Sequence, residues 1–119
     1  MPINTNNTLL KNINLILDNA KAESISIVDL KNKTSIADFF VIATCRSTRH
    51  AGSTADEIID KLKNFGIKCP SPAGRPQCDW VIVDAGNIII HLFRKEIREL
   101  YSLEKLWGMT FDNAEDETT

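Results

Sequence analysis

Asp79-Trp80-Val81-Ile82-Val83-Asp84-Ala85-Gly86-Asn87-Ile88-Ile89-Ile90-His91-Leu92-Phe93 is the stretch on which the fold of this chain turns. Two β-rich runs flank the turn signal Ala85-Gly86-Asn87, so it predicts a hairpin. Glu96-Ile97-Arg98-Glu99-Leu100-Tyr101-Ser102-Leu103-Glu104-Lys105-Leu106-Trp107 follows and predicts a helix. Strand side chains alternate between faces, so even a loose register sorts them. With a loop of two or four residues, an even position on the first strand faces an odd one on the second. Trp80, Ile82 and Asp84 then share a face with Ile89, His91 and Phe93. Val81, Val83, Ile88, Ile90 and Leu92 line the other face, which is wholly aliphatic and reads as core. The mixed face, with aromatics, a histidine and a carboxylate, reads as a recognition surface. A three-residue loop would scramble the pairing.

Working outward, Asp38-Phe39-Phe40-Val41-Ile42-Ala43-Thr44 is a nearly continuous apolar run, as expected of a central strand buried on both faces. Ser47 is placed to cap a helix that runs to Phe65 and stops at Gly66, with Ala51, Ala55, Ile58, Ile59 and Leu62 as its apolar stripe. Leu9, Leu10, Ile13, Ile16, Leu17 and Ala20 predict an amphipathic first helix from about Thr8 to Ala22. Ser24 to Leu30 predicts a strand, and Ile67-Lys68-Cys69 a short edge strand. Pro70-Ser71-Pro72-Ala73-Gly74-Arg75-Pro76-Gln77 is a loop. The order α-β-β-α-β-β-β-α predicts a single α/β domain: a mixed sheet of about five strands flanked by helices. Residues 1–7 are expected to be a flexible amino terminus, 8–109 the folded domain, and 110–119 a disordered acidic tail.

Composition narrows the function classes. The chain has 119 residues, 43% of them hydrophobic and 25% charged, ordinary for one soluble domain. Its formal net charge of −2 argues against nucleic acid as the sole partner, because phosphate binding needs a concentrated basic surface. No apolar run is long enough to span a membrane, and the first residues do not read as a signal peptide. Cys45, Cys69 and Cys78 form no CxxC pair, so a reducing cytoplasm is the expected setting. Scattered cysteines and two distant histidines, His50 and His91, do not make a zinc site. There is no GxxxxGK[ST] or GxGxxG, and Gly52-Ser53 is not followed by the DxD pair that a nucleotidyltransferase needs to hold magnesium. Cys45 with His50 is the conceivable nucleophile pair, but a cysteine ending a strand reads more simply as a small buried hydrophobe. No cofactor is implied. Trp80 can be a core residue with its indole donor satisfied or an interface anchor.

Asp29, Ser35, Asp38 to Thr44, Ser47, Arg49-His50, Ala55-Asp56, Gly66, Asp79 to Asp84, Gly86, His91-Leu92-Phe93, Glu96, Arg98, Tyr101, Leu103-Glu104 and Leu106-Trp107 together follow one ordered pattern. It resembles the Iojap-type ribosomal silencing factors from about Leu9 to Trp107. The resemblance implies a nucleotidyltransferase-like fold without enzymatic activity. It implies binding to the large ribosomal subunit through its protein L-fourteen, a block on subunit joining, repression of translation, and a homodimer. Sequence-specific nucleic acid binding is not expected. Trp80 matches the family's interface tryptophan; His91 and Phe93 would join it as apolar anchor, and Asp84 and Glu96 would face basic residues. Asp38, Arg49, His50, Arg98 and Tyr101 match the pattern as further contact residues. An assembly factor without silencing, or a degenerate nucleotide-binding protein on the same scaffold, are the alternatives. Three positions depart from the pattern: Cys45-Arg46 stands for Gly-Thr, Ala73-Gly74 for Glu-Gly, and Gly86-Asn87 for Gly-Asp.

Overall fold

A computed structural model describes residues 6–97, save 32, 34 and 76. Helix α1 (Asn6–Asn19) leads to strands β1 (Glu23–Asp29) and β2 (Phe39–Cys45), helix α2 (Thr48–Lys63) and strands β3 (Trp80–Asp84) and β4 (Ile88–Arg94). The sheet has four strands in the order β1-β2-β4-β3; β2 and β4 run parallel and the other pairs antiparallel. The helix expected from Glu96 begins at the edge of the described residues, and Arg98, Tyr101, Leu103, Leu106, Trp107 and the acidic tail lie outside them.

The apolar run over Phe39–Cys45 is the central strand, and every residue in it is buried. Its odd-numbered side chains (Phe39, Val41, Ala43, Cys45) join Val81, Val83, Ile88, Ile90 and Leu92 in one core, beneath Ile13, Ile16 and Leu17 of α1 and Ala51, Ala55, Ile58 and Leu62 of α2. Both helices therefore cover the aliphatic face. A fully buried Leu or Ile there contributes about 2 kcal/mol relative to leaving it exposed. Ser47 caps α2 as expected: its Oγ accepts from His50 N at 3.1 Å, satisfying one of the open amides of the first turn. Lys61 and Lys63 in the last turn complement the negative end of the helix dipole.

The even-numbered face has a second, smaller core of Val28, Leu30, Ala37, Phe40, Ile42 and Phe93, with Trp80, Ile89 and Ile97 packed at its margin. The hairpin register pairs Trp80 with Phe93, Ile82 with His91 and Asp84 with Ile89, the even-to-odd pairing that an even loop requires. Ala85 N donates to Ile88 O at 2.9 Å, leaving Gly86 and Asn87 as the tip, and Gly86 takes φ +86°, where a side chain would be strained.

The strand expected at Ile67–Cys69 does not form, so the described residues make four strands, not five. Pro70 and Pro72 lack the N–H groups that a ladder needs. The outer edge of β3 is met instead by a single bridge: Ala73 N donates to Ile82 O and Ile82 N to Ala73 O, both at 3.0 Å. Ile67 and Cys69 pack their side chains against the helix-side core without a ladder. Cys45 and Arg46, where the resemblance implies Gly-Thr, do not adopt a left-handed backbone, so glycine's freedom is not used there.

Candidate functional site

The mixed face ends, at the β3–β4 edge, in a linked aromatic cluster. Trp80 lies opposite Phe93 across the ladder, and their rings stack with centroids 4.9 Å apart and planes at 26°. His91, two pairs along the ladder and on the same face, is reached diagonally: Trp80 Nε1 donates to His91 Nδ1 at 3.0 Å. An Nδ1 that accepts places the proton of the neutral ring on Nε2. Nε2 is buried and has no hydrogen-bond partner among the described residues. The ring of Phe40 meets His91 edge-on, centroids 4.5 Å apart at 64°. Burial pushes the His91 pKa down from 6.5 to about 4, because the imidazolium would lose its hydration there.

The cluster is layered. His91 is 5% exposed and Phe93 fully buried, whereas Trp80 is half-buried, as are Ile82 and Ile89 on the same face. The outward surface is therefore Trp80, Ile82 and Ile89, and His91 and Phe93 support it from below.

Carboxylates border this surface. Asp84 is exposed at the far end of β3, where one oxygen accepts from Gly86 N at 2.9 Å and holds the hairpin tip. At the Trp80 end, Arg94 is a hub that reading along the chain did not single out. Its Nε donates to Asp79 Oδ1 at 2.9 Å, its backbone N to Asp79 O at 2.9 Å, and one terminal nitrogen to Glu96 Oε1 at 3.1 Å. The legible signal was an arginine ending one strand beside an aspartate that opens the other. Asp38 is half-buried before β2; its backbone N donates to Asn87 O at 2.7 Å and its carbonyl accepts from Leu30 N at 2.8 Å, which ties the β1–β2 loop to the hairpin tip.

Arg49 and His50 lie elsewhere, in the first turns of α2, on the layer that covers the opposite face of the sheet. Arg49 is exposed and lines a shallow hollow with Thr48, Gly52, Ser53, Asp56, Arg75 and Cys78. His50 is committed within the chain: Nδ1 accepts from Arg46 N at 3.0 Å and Nε2 donates to Ala20 O at 2.7 Å. It fastens the end of α1 to the start of α2. Arg98 and Tyr101 lie outside the described residues.

Gly52-Ser53 sits inside α2 rather than in a turn, and the missing side chain of Gly52 leaves room for Cys78 Sγ. Among the described residues no group of histidine, cysteine, aspartate and glutamate side chains could hold a metal ion, and no helix is long and apolar enough to cross a membrane. Burial raises the Cys45 thiol to about 11, which makes it a poor nucleophile at neutral pH.

A family model described as "Ribosomal silencing factor during starvation" (RsfS) matches residues 3–119. The ribosomal silencing factor RsfS of Zymomonas mobilis is 44% identical over 100 residues, covering 84% of this chain and 75% of its own. A mouse protein named "Mitochondrial assembly of ribosomal large subunit protein 1" is 34% identical over 104 residues, covering 82% of this chain and 45% of that one. A crystal structure of a Chromobacterium violaceum protein superposes with a TM-score of 0.82 at 29% identity, covering 86% of this chain and 85% of that one.

Proposed function

This chain belongs to the ribosomal silencing factor family, and from that premise we propose that it binds the large ribosomal subunit through protein L-fourteen and blocks subunit joining. The mechanism is steric and non-enzymatic. A folded domain occupies volume that the small subunit needs, and translation falls. The site of action is the cytoplasm, and the free protein is a homodimer.

The observation that carries this reading is the half-buried Trp80, set among Ile82 and Ile89 and bordered by Asp79, Asp84 and Glu96. A large aromatic at the rim of an apolar patch is the usual form of an interface anchor, and its truncation costs about 2 kcal/mol or more of binding. Asp84 and the net negative Asp79–Arg94–Glu96 group complement a basic protein and would speed its approach. In this reading Asp84 and Glu96 face the partner's basic residues, His91 and Phe93 hold Trp80, and Asp38, Arg98 and Tyr101 extend the contact. Arg49 and His50, on the other layer, fall outside it.

Sucrose-gradient sedimentation with separated subunits tests the proposal. Comigration with the large subunit and fewer joined ribosomes is the expected result, and Trp80→Ala is expected to abolish both while the protein stays folded. A folded Trp80→Ala protein that still comigrates would remove the anchor. The mouse relative's name favours a second reading, an assembly role without silencing. Tight binding with undiminished subunit joining would select it. Sedimentation of the protein alone checks the dimer.

A further inference from the structure

His91 is almost fully buried, yet it meets the residue proposed above as the docking anchor. Two of the contacts that hold Trp80 differ in kind. The stack on Phe93, 4.9 Å between centroids, sets the plane of the indole but does not by itself choose which of its edges faces out. The hydrogen bond from Nε1 to His91 Nδ1, 3.0 Å, is directional and favours one edge of the indole facing out. His91 itself has little room to adjust: it is 5% exposed and packs edge-to-face with Phe40. We propose that His91 is a positioning residue for ribosome docking, acting as the fixed acceptor that presents the benzo edge of Trp80 outward. The inference rests on Trp80 being the anchor.

The role requires the neutral tautomer with its proton on Nε2, since an Nδ1–H cannot accept from the indole. It also separates this histidine from a mere space-filler. Phenylalanine at this position keeps an aromatic ring and loses the acceptor. Asparagine loses the ring but carries a carbonyl oxygen close to where Nδ1 stood. A packing role ranks phenylalanine above asparagine in every assay. A positioning role reverses that order in docking alone.

The test measures affinity for purified large ribosomal subunits with the intact chain, its Trp80→Ala variant, His91→Phe and His91→Asn, alongside thermal unfolding of each. The expected result is binding about tenfold weaker for His91→Phe, a preorganised contact having been lost, and binding closer to wild type for His91→Asn although it is the less stable protein. Undiminished binding by His91→Phe, or weaker binding by His91→Asn than by His91→Phe, would overturn the proposal while Trp80→Ala still binds poorly. Undiminished binding by Trp80→Ala would overturn the anchor reading and this inference with it. Nitrogen-15 NMR of the wild-type protein gives an answer even where variants do not fold: a proton on Nε2 of His91 supports the role, and a proton on Nδ1 overturns it.

Discussion

Gly74 crosses the backbone of Trp80 so closely that a side chain on it would overlap the Trp80 carbonyl oxygen. Its φ of +97° would strain any L residue as well. This contact carries the loop over β3 and places the Ala73–Ile82 bridge beside the aromatic cluster. Glycine is thus the residue of the Ala73-Gly74 pair on which the backbone path depends. Gly74→Ala is expected to destabilise the fold by about 2 kcal/mol or more. Urea unfolding measures this, and a cost below about 0.5 kcal/mol would show that the loop moves freely away from β3.

The buried His91 makes stability depend on pH. Its pKa is about 4 in the folded protein against an ordinary 6.5, so below pH 6.5 the unfolded chain takes up a proton that the folded chain refuses. Stability from this group is full above about pH 6.5, falls as the pH drops toward 4, and amounts to about 3 kcal/mol over that window. Urea midpoints for the wild type and His91→Phe across this range isolate the effect, because carboxylate contributions are common to both. Parallel curves would show that His91 titrates near its ordinary value.

His50→Ala removes two hydrogen bonds at once, those to Ala20 O and from Arg46 N. The expected loss is about 2 kcal/mol of stability, at the junction of α1 and α2. Binding to the large subunit should survive in the folded fraction, because this junction lies on the layer opposite Trp80. Affinity measured well below the unfolding temperature checks that separation; a large drop in affinity would bring the α2 layer into the interface.

Ser47→Ala should cost about 1 kcal/mol, through the loss of the acceptor for His50 N, whereas Ser47→Gly should cost only a few tenths. Chemical denaturation of the two variants side by side checks the difference. Equal losses would mean that the cap's backbone geometry, not its hydroxyl, matters.

Much of the site was legible along the chain. The period of two divided the hairpin into an aliphatic and a mixed face, and an even loop then brought Trp80, His91 and Phe93 together. The unbroken apolar run to Thr44 marked the central strand, and Ser47 marked the start of α2. Each of these rests on neighbours a few residues apart, where periodicity and capping act. The edge strand at Ile67–Cys69 was misread for a matching reason: its residues suit a strand, but pairing needs a partner backbone, and the prolines that follow direct the chain to bridge at Ala73.

The sequence by itself determined which side chains of each hairpin strand share a face, the central strand and the start of α2, and, given an even loop, that Trp80 lies beside a histidine. Only the tertiary structure decided which of those side chains face out. Leu30 and Ala37, from segments remote from the hairpin, pack against the mixed face with Phe93 and turn part of a surface into a second core, leaving Trp80 at its rim. The fate of His50 was decided in the same way, by a carbonyl at Ala20 that lies 30 residues away. Alternation is a property of one strand, whereas burial depends on what the rest of the chain lays over it.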